Sequence, residues 1–436
     1  MERQLANSSV KSPAKLLNKN FLLLWQGQFV SQLGNQVHSI AMVFWIKHAT
    51  GSGTLIGTLM MLSTLPAIIL GPLGGTFADR HSRRRIILIS EFVSGLFVLL
   101  LAGMMFLNPD RTDLIIIWLA ISYTGIGILG AAFNPAVGAA VPDLVPPGKI
   151  AAANSLTRTA QQVATLAGQG LGGVLFRILG APLLFLFDAF SYLFSAGCTL
   201  FMKIPQKLPE KSIGFGAIYA EFKNDTIAGL RYVWSNRGLR GLIIASASIN
   251  FFLAPVGVLL PFYVEDKLQS SPDWFGYMMA SLGVGVVLGY LAAGTLKVAG
   301  RTRSNLIIAI IFAFSITIGI LGLVASAPVA LILFLLLGFL SGTAGIYTTT
   351  VLQITTPTEI RGRVFGLLGT IVGGLMPIAM GLAGVMADMA GNNVSLIFMI
   401  CGGISALISL LLSMQKDFRT FLEYEITRNE SQRTMK

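Results

Sequence analysis

The sequence predicts an all-α integral membrane fold of twelve transmembrane helices, arranged as two pseudo-symmetric six-helix bundles. Three observations carry this: a composition that is 54% hydrophobic and 11% charged, apolar runs of spanning length along the whole chain, and an internal repeat. Soluble domains carry about 25% charged residues, so this chain is built for hydrocarbon. About 20 apolar residues cross ~30 Å of bilayer as a helix.

Runs of that length fall at 21–46, 54–78, 86–106, 114–136, 153–177, 181–202, 241–264, 274–296, 305–325, 328–350, 364–389 and 394–414. They divide the chain into a tail (1–20), an N-terminal bundle (21–202), a central loop (203–240), a C-terminal bundle (241–414) and a second tail (415–436). The central loop holds seven Lys or Arg and three acids. The repeat shows in "GLGGVLFRILG" at 170–180, which matches "GLAGVMADMAG" at 381–391 without a gap, and the same spacing carries Pro146 onto Pro357. Duplication of this kind is how many secondary transporters place a pathway between two bundles.

The net charge of +12 is distributed by side. With the amino terminus inside, cytoplasmic segments hold 26 of the 31 Lys and Arg, outer loops hold Lys47, Arg111, Arg177 and Lys267, and Arg158 lies within a span. This positive-inside asymmetry predicts two cytoplasmic termini and a multi-pass protein of the cytoplasmic (inner) membrane. The basic excess faces lipid headgroups; no basic patch interleaved with aromatics points to nucleic acid. The first twenty residues lack a signal peptide's apolar core and read as a cytoplasmic tail. The stretch after Lys416 reads as a solvated end.

Cys198 and Cys401 are mid-span and lack disulfide or metal spacing. The chain has three histidines and no P-loop pattern. We therefore expect no enzyme activity, no cofactor, no metal site and no ATP-driven step.

Between the second and third runs stands "GGTFADRHSRRR" at 74–85, with one carboxylate and four arginines. Arginine costs about 2.5–3.5 kcal/mol at the centre of a span, so the arginines hold this loop in the cytoplasm. Asp79 adds little to topology and needs a positive partner. The worn second copy, "AGTLKVAGRTRS" at 293–304, keeps glycine and positive charge but has lost the acid. A candidate partner for Asp79 is "TTPTEIRGR" at 355–363, where Thr356, Pro357 and Glu359 form a capping-box pattern and predict a helix N-terminus that favours an anion.

The first span is unusually polar. Gln28, Gln32, Asn35 and Ser39 share one helical face, which is expected to line a watery cavity, with hydrogen bonding between helices as the alternative. Glu91, Asp188, Arg158 and His38 are the ionisable groups away from span ends, and such groups are functional candidates. Asp188 lies deeper and is the stronger candidate for proton coupling, with a structural pairing or hydrogen bond as the equal alternative, and His38 reads first as a hydrogen-bonded packing residue; Glu91 and Arg158 sit nearer the cytoplasmic ends, as gate or snorkelling residues. Gly168, Gly172 and Gly173 in the fifth span allow backbone-close packing, as a plain contact or as a pivot. Pro255 and Pro261 should kink the seventh span and free carbonyls near Asn250.

The loop "GGTFADRHSRRR" resembles the signature G-x-x-x-D-R-x-G-R-R of the major facilitator superfamily, with Gly75, Asp79, Arg80, Arg83 and Arg84 at the matching places and Ser82 where glycine is usual. "GQGLGG" at 168–173 is similar to the G-P-x-x-G-G core associated with antiporters, with Gln169 in place of proline. "FNPAVGAAVPDLVP", "AANSL" and "TTPTEIRGRVFGLLG" look like the drug-efflux branch that holds macrolide-efflux and enterobactin-exporter-like proteins. The resemblance implies that the first and seventh spans line a central cavity, so that Asn250 joins the polar face of the first span. It also implies a cytoplasmic gate in which Asp79 docks on the start of the eleventh span, Arg80, Arg83 and Arg84 add contacts, and Glu359 pairs with an arginine. The implied function is a monomeric secondary active transporter working by alternating access: a proton-coupled exporter of small amphipathic compounds such as drugs, macrolides or siderophores. An importer, a uniporter or a lipid translocator keeps the same fold, and a transport-inactive scaffold or sensor is the reading from another class.

Overall fold

The structure is a computed structural model that describes residues 15–206, 227, 230–295 and 298–424, without the side chains of 358, 359 and 361–363. The first helices are α1 (Lys19–Thr50), α2 (Gly53–Arg80), α3 (Arg83–Leu107) and α4 (Thr112–Leu144). A short 3₁₀ turn, Pro147–Lys149, leads into the helical stretch Ile150–Phe201. Gly180 breaks that stretch with φ 72° and ψ 169°, a backbone conformation open to glycine at little cost. The break separates α5 (150–179) from α6 (181–201). There follow α7 (Arg237–Phe262), with a π turn at Tyr263–Lys267, then α8 (Asp273–Thr295), α9 (Gly300–Leu323), α10 (Ala327–Thr355), α11 (Thr358–Met389), α12 (Val394–Met414) and α13 (Lys416–Glu423).

Among the described residues, ten helical segments are long and apolar enough to cross a membrane. One of them, Pro147–Phe201, is the broken pair α5 and α6, each long enough by itself to span the hydrocarbon. Helix α1 is not among the ten because its polar face lowers its hydropathy, yet its 32 residues exceed the spanning length. The count of twelve follows.

Three local expectations change. Helix α4 does not end near 136 but runs through Pro135 and Pro142 to Leu144. Ala136, Val137, Ala140, Val141 and Leu144 are buried there in one cluster with Phe21, Leu24, Ile86 and Ile87, so burial outweighs two missing backbone donors. The start of α11 falls one residue later than the pattern at Thr356 predicts, with Pro357 and not Thr356 in the N-cap position. The Thr356 amide bonds to the Leu352 carbonyl at 3.2 Å and so terminates α10, while α11 starts at Thr358 behind Pro357 with no side-chain cap. The stretch after Lys416 is not simply solvated: Phe418 and Leu422 are buried. Buried Arg303 donates through Nε to the Leu422 carbonyl at 3.0 Å and also to that of Tyr424, satisfying carbonyls at the end of α13.

The chain forms two compact units, the first Met1–Trp45 with Leu62–Gly214, the second Ile46–Met61 with Phe215–Lys436. In the first, α3 packs against α4 and the α5–α6 pair. Helix α5 meets α1 at Gly168 and Gly172, where a Cβ would overlap Gln36 and Ile40 respectively. In the second, α8 and α10 lie backbone to backbone at Gly285, Gly289, Gly338 and Gly342, and α9 holds α12 through a buried hydroxyl pair, Ser315 and Ser405, at 2.7 Å.

Candidate functional site

The first unit contains a buried polar cluster between α1, α3 and α6. Helix α6 supplies Asp188, Ser191, Tyr192 and Ser195, at i, i+3, i+4 and i+7, which places all four on one face. Helix α1 brings Gln28, Ser31, Asn35 and His38 to meet them, and α3 brings Glu91.

Two subsites result. In one, His38 Nδ1 lies 2.7 Å from Asp188 Oδ2, with the residues 5% and 0% exposed. Ser191 Oγ donates to the Asp188 backbone carbonyl at 2.8 Å and to Oδ1 at 3.1 Å. The imidazole is packed edge-on against Phe185 at 4.6 Å and tilted on Tyr123 at 5.2 Å. In the other, Glu91 accepts from Gln28 Nε2 at 2.8 Å, from Ser31 Oγ at 3.2 Å and from the Ser195 hydroxyl. Beside these carboxylates, Tyr192 OH donates to Asn35 Oδ1 at 2.5 Å.

The chemistry of the two differs. A buried carboxyl is costly unless its oxygens find partners, and Asp188 has one at each: His38 at Oδ2 and Ser191 at Oδ1. Glu91 has neutral partners, two hydroxyls and an amide.

A family model described as a transmembrane secretion effector matches residues 10–433. The chain belongs to this family of the major facilitator superfamily. Macrolide efflux protein A of Streptococcus pyogenes is 25% identical over 409 residues, covering 92% of this chain and 96% of the relative. The multidrug efflux pump Tap of Mycolicibacterium fortuitum is 25% identical over 379 residues, covering 85% and 90%. Among solved structures, a bacterial homologue of the iron transporter ferroportin matches with a TM-score of 0.67 at 16% identity, over 91% of this chain and 98% of that one. A D-xylose-proton symporter matches with 0.67 at 16% identity, over 94% and 99%; at that identity the likeness concerns the fold. The protein is a multi-pass membrane transporter and not an enzyme.

The superfamily loop is arranged as follows. Arg83 Nη1 donates to Asp143 Oδ2 at 2.5 Å and to the Ala139 carbonyl at 3.0 Å, both on α4. Arg84 reaches the carbonyls of Thr199, at 3.2 Å, and Leu200 at the end of α6. These two arginines thus staple their own bundle, a role that the expected contact with α11 does not contain. The Asp79 side chain is 73% exposed, 3.7 Å from Arg83 Nη2. Arg80 is half-buried. Ser82, the departure from the superfamily pattern, accepts from the Arg85 amide at 3.4 Å and caps α3. Close packing falls on Gly74, where a Cβ would overlap the Ala131 carbonyl, while no described atom lies within 4 Å of a Cβ at Gly75. The Glu359 side chain lies outside the described residues.

The polar face of α1 is divided. Gln28 is 6% exposed and serves Glu91, and Asn35 serves Tyr192. Gln32 and Ser39 remain half-buried. In the second unit, Asn250 Nδ2 donates to the Ser246 carbonyl at 2.9 Å. Arg158 is exposed on α5, away from the cluster. Gly168, Gly172 and Gly173 are all buried. Ser31, Tyr123, Ser191, Tyr192 and Ser195 escaped the sequence reading. The signal available for three of them was their helical spacing from Asp188.

Proposed function

We propose that this transporter exports small amphipathic compounds by alternating access, driven by protons moving inward across the cytoplasmic membrane. The observation that carries the reading is the buried His38–Asp188 pair with Glu91 beside the same α1 face, because ionisable groups at membrane depth mark proton relays and ion pathways. The efflux relatives support the outward direction. The charge asymmetry supports an orientation with both termini in the cytoplasm.

In the cycle we infer, a proton entering from outside neutralises Asp188 or Glu91, which loosens α1 from α6 or α3. Release of the proton to the cytoplasm restores the pair. Gln32, Ser39 and Asn250 are the polar groups assigned to the substrate cavity, and a cavity of amides and hydroxyls with little fixed charge suits bulky, weakly charged ligands. Gly168, Gly172 and Gly173 form the pivot between α5 and α1. Asp79 with Arg80 and Glu359 forms the cytoplasmic gate at the start of α11. The working unit is a monomer.

The test is pH-gradient-driven efflux in everted vesicles over a panel of macrolides, dyes and siderophores. Asp188→Asn is expected to abolish gradient-driven efflux while sparing passive exchange. Full gradient-driven activity in that variant would overturn the assignment. Absence of substrate-dependent proton movement in proteoliposomes would favour a uniporter instead.

A further inference from the structure

The second unit fastens the α1–α2 connection at two acid sites that the transport reading does not use. At the first, Lys47 Nζ lies 2.6 Å from Glu265 Oε2 and 2.8 Å from Asp266 Oδ1, and His48 Nε2 is 3.1 Å from Glu265 Oε1. Glu265 and Asp266 sit in the π turn after α7, whose wider winding turns two adjacent acids toward one ammonium. At the second, Asp388 near the end of α11 receives the start of α2: the Gly53 amide at 2.6 Å, Ser52 Oγ at 2.7 Å and the Thr54 amide at 3.1 Å. Here the backbones approach closely, since a Cβ at Gly384 would overlap the Gly53 carbonyl.

Asp388 therefore caps a helix that is not its own. A carboxylate at a helix N-terminus satisfies unpaired amides and meets the positive end of the dipole. The repeat gives this meaning. Asp388 in "GLAGVMADMAG" stands opposite Arg177 in "GLGGVLFRILG", and the acid of the arginine loop, Asp79, is missing from the second copy. Each acid occurs in one copy only. They lie at the far ends of the same two helices, Asp79 at the end of α2 and Asp388 at the end of α11.

We propose that Asp388 is a positioning residue of the transport cycle. It is a releasable cap that holds the start of α2 on the end of α11 in one state and lets go in the other, alternating with the docking of Asp79 on the start of α11. The alternation rests on the gate reading above, whereas the cap at Asp388 stands on its own contacts.

The test uses Ile56→Cys in the full-length protein in detergent, because Ile56 is 0% exposed one turn beyond the cap, with native Cys401, 4% exposed in α12, reporting unfolding. Adding Asp388→Ala is expected to speed maleimide alkylation of the introduced thiol about fivefold, the factor a typical lost cap is worth. Cys401 should stay unreactive, and Asp388→Asn, which keeps one acceptor, should lie between. Unchanged alkylation overturns the proposal, and so does a parallel rise at both thiols, which would make Asp388 merely structural. Asp79→Asn in the same background should slow alkylation. If it has no effect while Asp388→Ala speeds it, the cap is supported and the gate at Asp79 is refuted. Should Asp388→Ala not be recovered folded, Ser52→Ala with Asp388→Asn is judged by the same criteria.

Discussion

Gly34 sets how closely Asp188 can stand to α1. A Cβ there would come within 2.5 Å of Asp188 Oδ1 and closer still to Ser191 Oγ, so the glycine is a condition for the His38 contact. Overpacking of this kind costs about 1–3 kcal/mol, and Gly34→Ala is expected to lower thermal stability by that order and to lose gradient-driven efflux, measured on the same preparation. Glu91→Gln separates the two subsites. It retains the shape that Gln28, Ser31 and Ser195 surround but holds no exchangeable charge, so passive exchange should persist while the number of protons moved per substrate falls, as read by pH-dye uptake in proteoliposomes. An unchanged proton count would remove Glu91 from the relay. Asp188, Glu91 and His38 were legible in the sequence as charges at depth. That His38 and Asp188 are partners was not, because 150 residues separate them and no local pattern joins the first span to the sixth.

Among elements, α1 shows how one helix serves two purposes. Its polar residues read as a single stripe, yet Gln28 and Asn35 are held by Glu91 and Tyr192 while Gln32 and Ser39 are left for other contacts. Periodicity assigns residues to a face but does not say what stands opposite. Helix α13 makes the converse point. As a short, charged stretch it reads as a tail, but Gly238 and Gly241 on α7 leave room for Phe421 and Phe418, and Arg303 closes its end. A hydrogen bond to a charged group contributes about 1.5–3 kcal/mol. Arg303→Ala is therefore expected to lower the melting temperature in detergent and to expose α13 to protease, with cleavage after Lys416 or Arg419 as the readout. Retained protection would show that Phe418 and Leu422 suffice.

For the whole molecule, a proton-driven exporter must respond to the gradient and not to pH alone. Efflux should fall when the gradient is collapsed by an ionophore at constant internal pH, and reversing the gradient should reverse net flux. Insensitivity to both would point to a uniporter. The inward placement proposed for the arginine loop is tested separately, by labelling a cysteine substituted for Arg85 with an impermeant reagent: intact cells should not react and everted vesicles should.

The sequence by itself determined the membrane, the twelve crossings, the duplicated halves and the superfamily, because hydropathy, charge asymmetry and short motifs are written in consecutive residues. Only the tertiary structure decided which polar groups are partners. It joined His38 to Asp188, gave Glu91 its neutral donors, turned Arg83 and Arg84 onto their own bundle and set Asp388 on the start of α2. The physical reason is that the interaction of a buried charge is fixed by what packs around it in three dimensions, and residues on different helices, 56 to 336 positions apart in these contacts, leave no shared period to read.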